Sequence, residues 1–334
     1  MHSIVNNLKR IGTLLAVVLL CVGCAGYLPS LSYNPWQVIS VPTESFLSDL
    51  SFINPLHGWL VGSSSTLLET NDGGETWESR NLDLDGQNYR FTSVSFSGQE
   101  GWVAGQPSIL LHTTDGGQSW LRVPLSSKLP GNPNTVTALQ PQTAEMTTDI
   151  GAIYKTTDGG KTWKALVQEA VGVVRNIQRS PDGKYVAVSA KGNFYSVWEP
   201  GQEAWVPHNR NSSRRVQNMG FAEDGRLWMI ARGGQLQFTK ADNPEEWDKA
   251  TSPEFVTSWG FLDLAYRTPN EIWLSGGSGN LLCSLDGGQT WQKDQGVQNV
   301  PSNLYKILFI TPEQGFIIGQ QGTLLKYKGA ADSV

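Results

Sequence analysis

Residues 91–123 read FTSVSFSGQEGWVAGQPSILLHTTDGGQSWLRV. Phe91 to Phe96 alternates apolar and polar residues, the period of a half-buried strand. Gly101 to Gly105 and Ser108 to Thr113 read as two further short strands. Thr114 to Ser119 reads as a turn, and Trp120 opens a fourth strand. Four short strands separated by Gly, Asp and Pro, with no helical period, describe one propeller blade. The same order recurs along the chain. First strands fall around Leu50 to Phe52, Val136 to Leu139, Val174 to Ile177, Val216 to Phe221, Phe261 to Tyr266 and Leu304 to Phe309. The tryptophans Trp36, Trp77, Trp120, Trp163, Trp205, Trp247 and Trp291 mark a unit of roughly 43 residues, a spacing typical of repeat architectures.

The chain ends soon after a third-strand pattern, Gly322 to Tyr327, and its folded part begins with a fourth-strand pattern, Trp36 to Val41. The two ends therefore complement each other. The expected fold is all-β: a seven-bladed β-propeller of four-stranded blades over residues 35–328, its ring closed by the N-terminal strand completing the last blade. An open solenoid would not need complementary ends. Residues 329–334 read as a C-terminal tail.

Lys9 and Arg10 precede an apolar run from Ile11 to Val22, followed by Gly23, Cys24 and Ala25. This is an export signal over residues 1–23, too short to span a membrane. Cys21-Val-Gly-Cys24-Ala resembles a bacterial lipobox with Cys24 as the lipid acceptor, although Cys21 stands where Leu is usual. Ordinary cleavage nearby is the alternative. Residues 24–34 then read as a tether. Loss of the leader leaves Cys24 and Cys283, and if Cys24 carries lipid no disulfide is expected. The full chain has a net charge of −5 and becomes more acidic without Lys9 and Arg10, which argues against a nucleic-acid partner.

Four turns, centred on Asp72, Asp115, Asp158 and Asp286, share the pattern Ser/Thr-x-Asp-Gly-Gly-x-Ser/Thr-Trp. They resemble the Asp-box, or BNR repeat, of sialidases and related propellers. A carboxylate here can accept backbone N–H groups of its own turn while paired glycines supply positive φ. A residue repeated in four blades is a hairpin lock rather than a catalyst. Two units keep the Trp but lose the motif, at Glu199 to Trp205 and Asn243 to Trp247.

No catalytic residues are assigned. The Arg-Ile-Pro segment of sialidases is missing. Asp263 and Glu271 are conceivable as the two acids of a glycosidase, but nothing in their context singles them out. His57, His112 and His208 lie in different repeats, and no His/Cys spacing suggests a metal; no cofactor is expected. The Gly-Gly pairs belong to turns, not to a phosphate loop. An exported glycoside hydrolase or glycan-binding propeller stays as the alternative function.

Charge is the one asymmetry in the repeat. Arg175, Arg179, Arg210, Arg214, Arg215, Arg226 and Arg232 are seven of the twelve arginines. Arg175 and Arg179 flank a channel-lining first strand, and Arg214 and Arg215 precede the next, so the two pairs are expected to meet at one channel mouth. Such a patch suits an acidic peptide or terminus. The other reading is local pairing with Asp182, Glu223 and Asp224.

Asn54-Pro-Leu-His-Gly-Trp-Leu-Val-Gly62 and Val173-Val-Arg-Asn-Ile-Gln-Arg-Ser-Pro-Asp-Gly183, with the leader, seven units and Asp-boxes, resemble the photosystem II assembly/stability factor family of cyanobacteria and chloroplasts. The resemblance implies a non-enzymatic, monomeric assembly and repair factor. It implies lipid anchoring to the lumenal side of the thylakoid membrane and binding to the newly made reaction-centre core polypeptide and its early assembly intermediates. The family's basic patch then falls on Arg175, Arg179, Arg214 and Arg215.

Overall fold

A computed structural model describes residues 28–209, 213–241, 243, 245–253, 260–297 and 299–329, all β-strand and turn. The leader, Cys24, Arg210 and the last five residues lie outside that set. Seven antiparallel sheets follow one another around a ring. We number them blade 1 (47–79), blade 2 (90–122), blade 3 (133–165), blade 4 (174–209), blade 5 (216–238), blade 6 (261–293) and blade 7 (304–327 with Trp36–Ile39). In blade 7 the strand Trp36–Ile39 pairs antiparallel with Leu324–Tyr327, so the N-terminal strand does close the ring.

The repeat is not uniform at its outer edge. Where the Asp-box is kept, the outer strand has only two residues, as in Glu78–Ser79 and Leu121–Arg122. Blade 4 lacks the box yet has a four-residue outer strand, Val206–Asn209. Blade 5 also lacks it and, among the described residues, has three strands, its return segment pairing through the bridges Leu236↔Thr251 and Thr239↔Trp247. Residues 28–34, expected as a tether, are partly built into the fold. Leu31 is buried, and Ser30 bridges Lys293 on the edge of blade 6. An outer strand of two residues leaves backbone donors open, and the incoming chain takes them.

The core lies between blades. Second strands such as Gly58–Gly62 and Ile272–Gly276 are buried along their whole length. The turn tryptophan of one blade stands edge-on to an aromatic residue on the second strand of the blade before it. Trp120 meets Trp59 with ring centres 5.7 Å apart at 85°, and Trp163 meets Trp102 at 5.8 Å and 80°. Trp77 meets Phe316 across the joint between blades 7 and 1. Trp36 meets Trp273 at 5.3 Å and 87°, so the closing strand repeats the same contact. This is the favoured arrangement of two ring quadrupoles.

Glycine makes room for it. Gly117 has φ +91°, and a Cβ there would sit 2.3 Å from the Trp59 ring; Gly74 and Gly160 face Phe316 and Trp102 in the same way. The second glycine of each of these boxes thus satisfies a turn and a close approach together.

Trp36 is buried and also touches Phe309 and Tyr327. Trp36→Ala should therefore cost about 3–5 kcal/mol of stability, the range for removing a large buried aromatic. Urea unfolding followed by circular dichroism measures it, and a loss comparable to that of an exposed surface substitution would show that closure contributes little.

Candidate functional site

Every inner strand carries a β-bulge at the same place, after Leu47, Phe91, Pro133, Val174, Val216, Phe261 and Leu304. The residues just past it are Asp49, Ser93, Thr135, Asn176, Asn218, Asp263 and Lys306, and all seven line a central channel of about 650 Å³. A bulge re-aims side chains, and here polar groups reach from blade to blade. Asp49 accepts the Ser93 hydroxyl (3.0 Å), the Val94 amide (3.0 Å) and the Lys306 ammonium (2.7 Å). Asn218 donates to Asp263, which also accepts the Ile307 amide. Burial pushes the Asp263 carboxyl up to about 6, against the opposing pull of the Ile307 amide and the Lys306 charge. The ring is visible in the sequence once the first strands are aligned: LSD, FTS, PNT, VRN, VQN, FLD and LYK each carry a polar residue in third place.

The channel has two unlike mouths. The bulge face carries the starts of the inner strands and the loops between second and third strands. The box face carries the loops between first and second strands and the Asp-box turns. Arg175 is the bulged residue of blade 4 and is exposed. Its guanidinium donates to the Ala190 carbonyl and to Gln217 Oε1 (3.0 Å), the bulged residue of blade 5. Arg214 Nη1 donates to the Arg232 carbonyl, and the Arg232 amide donates to the Arg215 carbonyl. Arg175, Arg214, Arg215 and Arg232 thus gather at the bulge face of blades 4 and 5, all exposed. Arg90, which the sequence did not single out, joins the same face from blade 2, over the Phe46 ring.

Arg179 does not join them, and the expected quartet is corrected to a trio. Four residues along an extended strand carry the chain about 13 Å, from the bulge face toward the box face. There Arg179 Nε donates to Glu145 (2.8 Å), a buried carboxylate of blade 3 that also pairs with Lys155 (3.3 Å) and accepts the Tyr185 hydroxyl. Burial and the Glu145 charge push the Tyr185 hydroxyl up. Glu145 occupies the second-strand position that Trp59 and Trp102 fill in blades 1 and 2. The aromatic ladder is broken at this seam, and a cleft of about 840 Å³ opens beside it. Of the remaining arginines, Arg226 follows the local-pairing reading, bonded to Asp224 at 2.7 Å.

The four Asp-boxes have one geometry. Asp72 Oδ1 accepts the Thr70 hydroxyl and the Glu75 and Thr76 amides, while Oδ2 accepts the Thr76 hydroxyl at 2.6 Å. Asp115, Asp158 and Asp286 repeat the hydroxyl bonds at both oxygens. For Asp115, Asp158 and Asp286 the following Ser or Thr hydroxyl is the main cause that lowers the carboxyl to about 2; at Asp72 burial opposes the shift and the hydrogen bonds override it.

The chain matches the family model described as "Photosynthesis system II assembly factor YCF48" over residues 28–328. It belongs to the Ycf48 family. A photosystem II assembly lipoprotein Ycf48 of Nostoc sp. is 65% identical over 329 residues, covering 98% of this chain and 96% of that protein. The Ycf48 of Thermosynechococcus vestitus is 60% identical over 325 residues, 96% and 94% of the two chains. A structure titled "YCF48 bound to D1 peptide" superposes with a TM-score of 0.89 at 61% identity, covering 91% of this chain and all of that one. Ycf48 from Cyanidioschyzon merolae gives 0.82 at 41%, covering 88% and 98%. A xyloglucanase from Xanthomonas campestris gives 0.65 at 14% identity, covering 87% of this chain and 53% of that one, a likeness of fold alone.

The residues considered for chemistry in this Ycf48 family member are otherwise engaged. Asp263 staples three blades, and Glu271 is buried against Arg267 and Trp273 Nε1. His57 and His112 each pair with a glutamate of their own blade, Glu69 and Glu100, and His208 lies 3.7 Å from Glu245.

Two outcomes follow. An Asp-box carboxyl whose folded value of about 2 lies below its ordinary 3.8 stabilises the fold above pH 3.8, and that contribution is lost as pH falls toward 2. Replacing all four aspartates with Ala should flatten the fall in urea midpoint between pH 4 and pH 2.5, and an unchanged slope would remove them as its cause. Arg179→Ala leaves the buried Glu145 carboxylate with Lys155 and the Tyr185 hydroxyl and should cost about 2 kcal/mol, as for a lost hydrogen bond to a charged group, whereas Arg175→Ala should leave the thermal midpoint nearly unmoved. Equal losses would return Arg179 to the surface patch.

Proposed function

We propose that this chain is a non-enzymatic, monomeric photosystem II assembly and repair factor. It is held at the lumenal side of the thylakoid membrane by lipid on Cys24, and it binds the newly made D1 reaction-centre polypeptide at its bulge face. The 61%-identical relative in complex with a D1 peptide carries this reading, and the naming of relatives as lipoproteins supports the anchor. Within this chain the supporting feature is the cluster of Arg175, Arg214 and Arg215 in an acidic protein. Guanidinium groups favour carboxylates in bidentate geometry. Arg179 supports the patch at one remove, through the seam with Glu145. The Asp-box carboxylates, with both oxygens occupied, give the glycoside hydrolase alternative no support.

The test is binding of a labelled peptide from the lumenal part of D1, followed by fluorescence anisotropy. Arg175→Glu, Arg214→Glu and Arg215→Glu together should weaken it at least about tenfold, equivalent to 1.4 kcal/mol. Raising salt should weaken the wild type progressively. Unchanged affinity in the triple variant would move the client site off the bulge face.

A further inference from the structure

The N-terminal segment enters the fold at a definite place. The Lys293 amide donates to the Pro29 carbonyl and the Leu31 amide to the Lys293 carbonyl, both at 2.9 Å, and the Ser30↔Lys293 bridge is parallel. Lys293 belongs to the outer strand of blade 6, which leaves the Asp286 turn at the box face and runs toward the bulge face. Parallel pairing therefore puts the Leu28 end at the box face. Leu28 and Pro29 line a cleft there with Gly288, Gln289 and Thr290 of that turn. Cys24 lies four residues upstream of Leu28, so its reach from this point is at most about 14 Å.

The same face carries three exposed apolar side chains. Leu285, Ile310 and Leu56 are 46%, 39% and 60% exposed, and they belong to blades 6, 7 and 1. Hydrogen bonds join their loops into one arc. The Gly287 amide donates to Asn270, Arg267 donates to the Pro312 carbonyl (3.1 Å), and Gln314 donates to the Pro55 carbonyl (2.9 Å). Two acids of this arc are paired, Glu75 with Lys326 and Lys328 and Glu271 with Arg267, while Glu313 in the blade 7 loop is exposed to water. Exposed apolar residues grouped on one face mark a contact surface. A single lipid chain gives marginal anchoring that a second, protein-borne contact strengthens.

We infer that the box face of blades 6, 7 and 1 lies against the lipid bilayer, with Leu285, Ile310 and Leu56 at the headgroup boundary. The inference rests on the lipid anchor at Cys24. It turns the bulge-face arginines away from the membrane, so the client segment they hold is one that extends into water.

The experiment uses the lipidated full chain in vesicles of phosphatidylcholine and phosphatidylglycerol. Single Leu285→Cys, Ile310→Cys and Leu56→Cys variants carry an environment-sensitive dye, with Val173→Cys on the bulge face, 63% exposed, as the control. Cys283 is fully buried and takes no label. Spin-labelled lipid should quench the dye severalfold more at 285, 310 and 56 than at 173. Equal quenching at all four sites, or more at 173, overturns the orientation while co-flotation of the protein with the vesicles keeps the anchor. A wild-type chain that does not float with the vesicles removes the anchor and this inference with it.

Discussion

The edge of one tryptophan against the aromatic face behind it is the contact on which the ring depends. A four-stranded blade cannot bury both its faces alone, and its partner must be another blade. The Asp-box hairpin delivers the tryptophan, and its second glycine lets the turn lie directly on the neighbouring ring. Trp36 on Trp273 supplies the same contact from the other end of the chain. Hairpin chemistry and ring assembly are therefore one constraint rather than two.

This coupling explains why the fold was legible and the site only in part. Tryptophan, paired glycines and alternating strands each report on the blade interface, so the period, the seven blades and the closure could be read from residue type and spacing. The faces could not. Arg175 and Arg179 look like a pair in sequence, but the strand between them crosses from one mouth of the channel to the other. The bulge that re-aims Asp49, Asn218 and Asp263 has no residue signature of its own, and it emerges only when the seven first strands are set beside one another.

Departures from the repeat do different things in different places. In the seam between blades 3 and 4, Glu145 replaces an aromatic, and Arg179, Lys155 and Tyr185 satisfy it, so a broken ladder becomes a polar joint. Blade 5 gives up its outer strand while the crossover before it presents Arg214 and Arg215. Blade 6 keeps its box and short outer edge, and the N-terminal segment uses that edge. The arginine cluster, the polar seam and the pairing of the N-terminal segment thus sit on three consecutive stretches of an otherwise monotonous ring.

The pairing of Trp36 with Tyr327 also sets an order of events. Loop-closure entropy grows only with the logarithm of length, so joining ends some 290 residues apart costs about 2 kcal/mol more than closing one 43-residue unit. The equilibrium penalty is small, but the kinetic one is not, because contacts this distant in sequence form late. Six blades must wait, with Trp273 of blade 6 still without its Trp36 partner, while blade 7 lacks its outer strand. The strand that completes it leaves the ribosome first and is used last. A chain of this design is vulnerable for as long as that gap stays open, and its final folding step joins its first strand to its last.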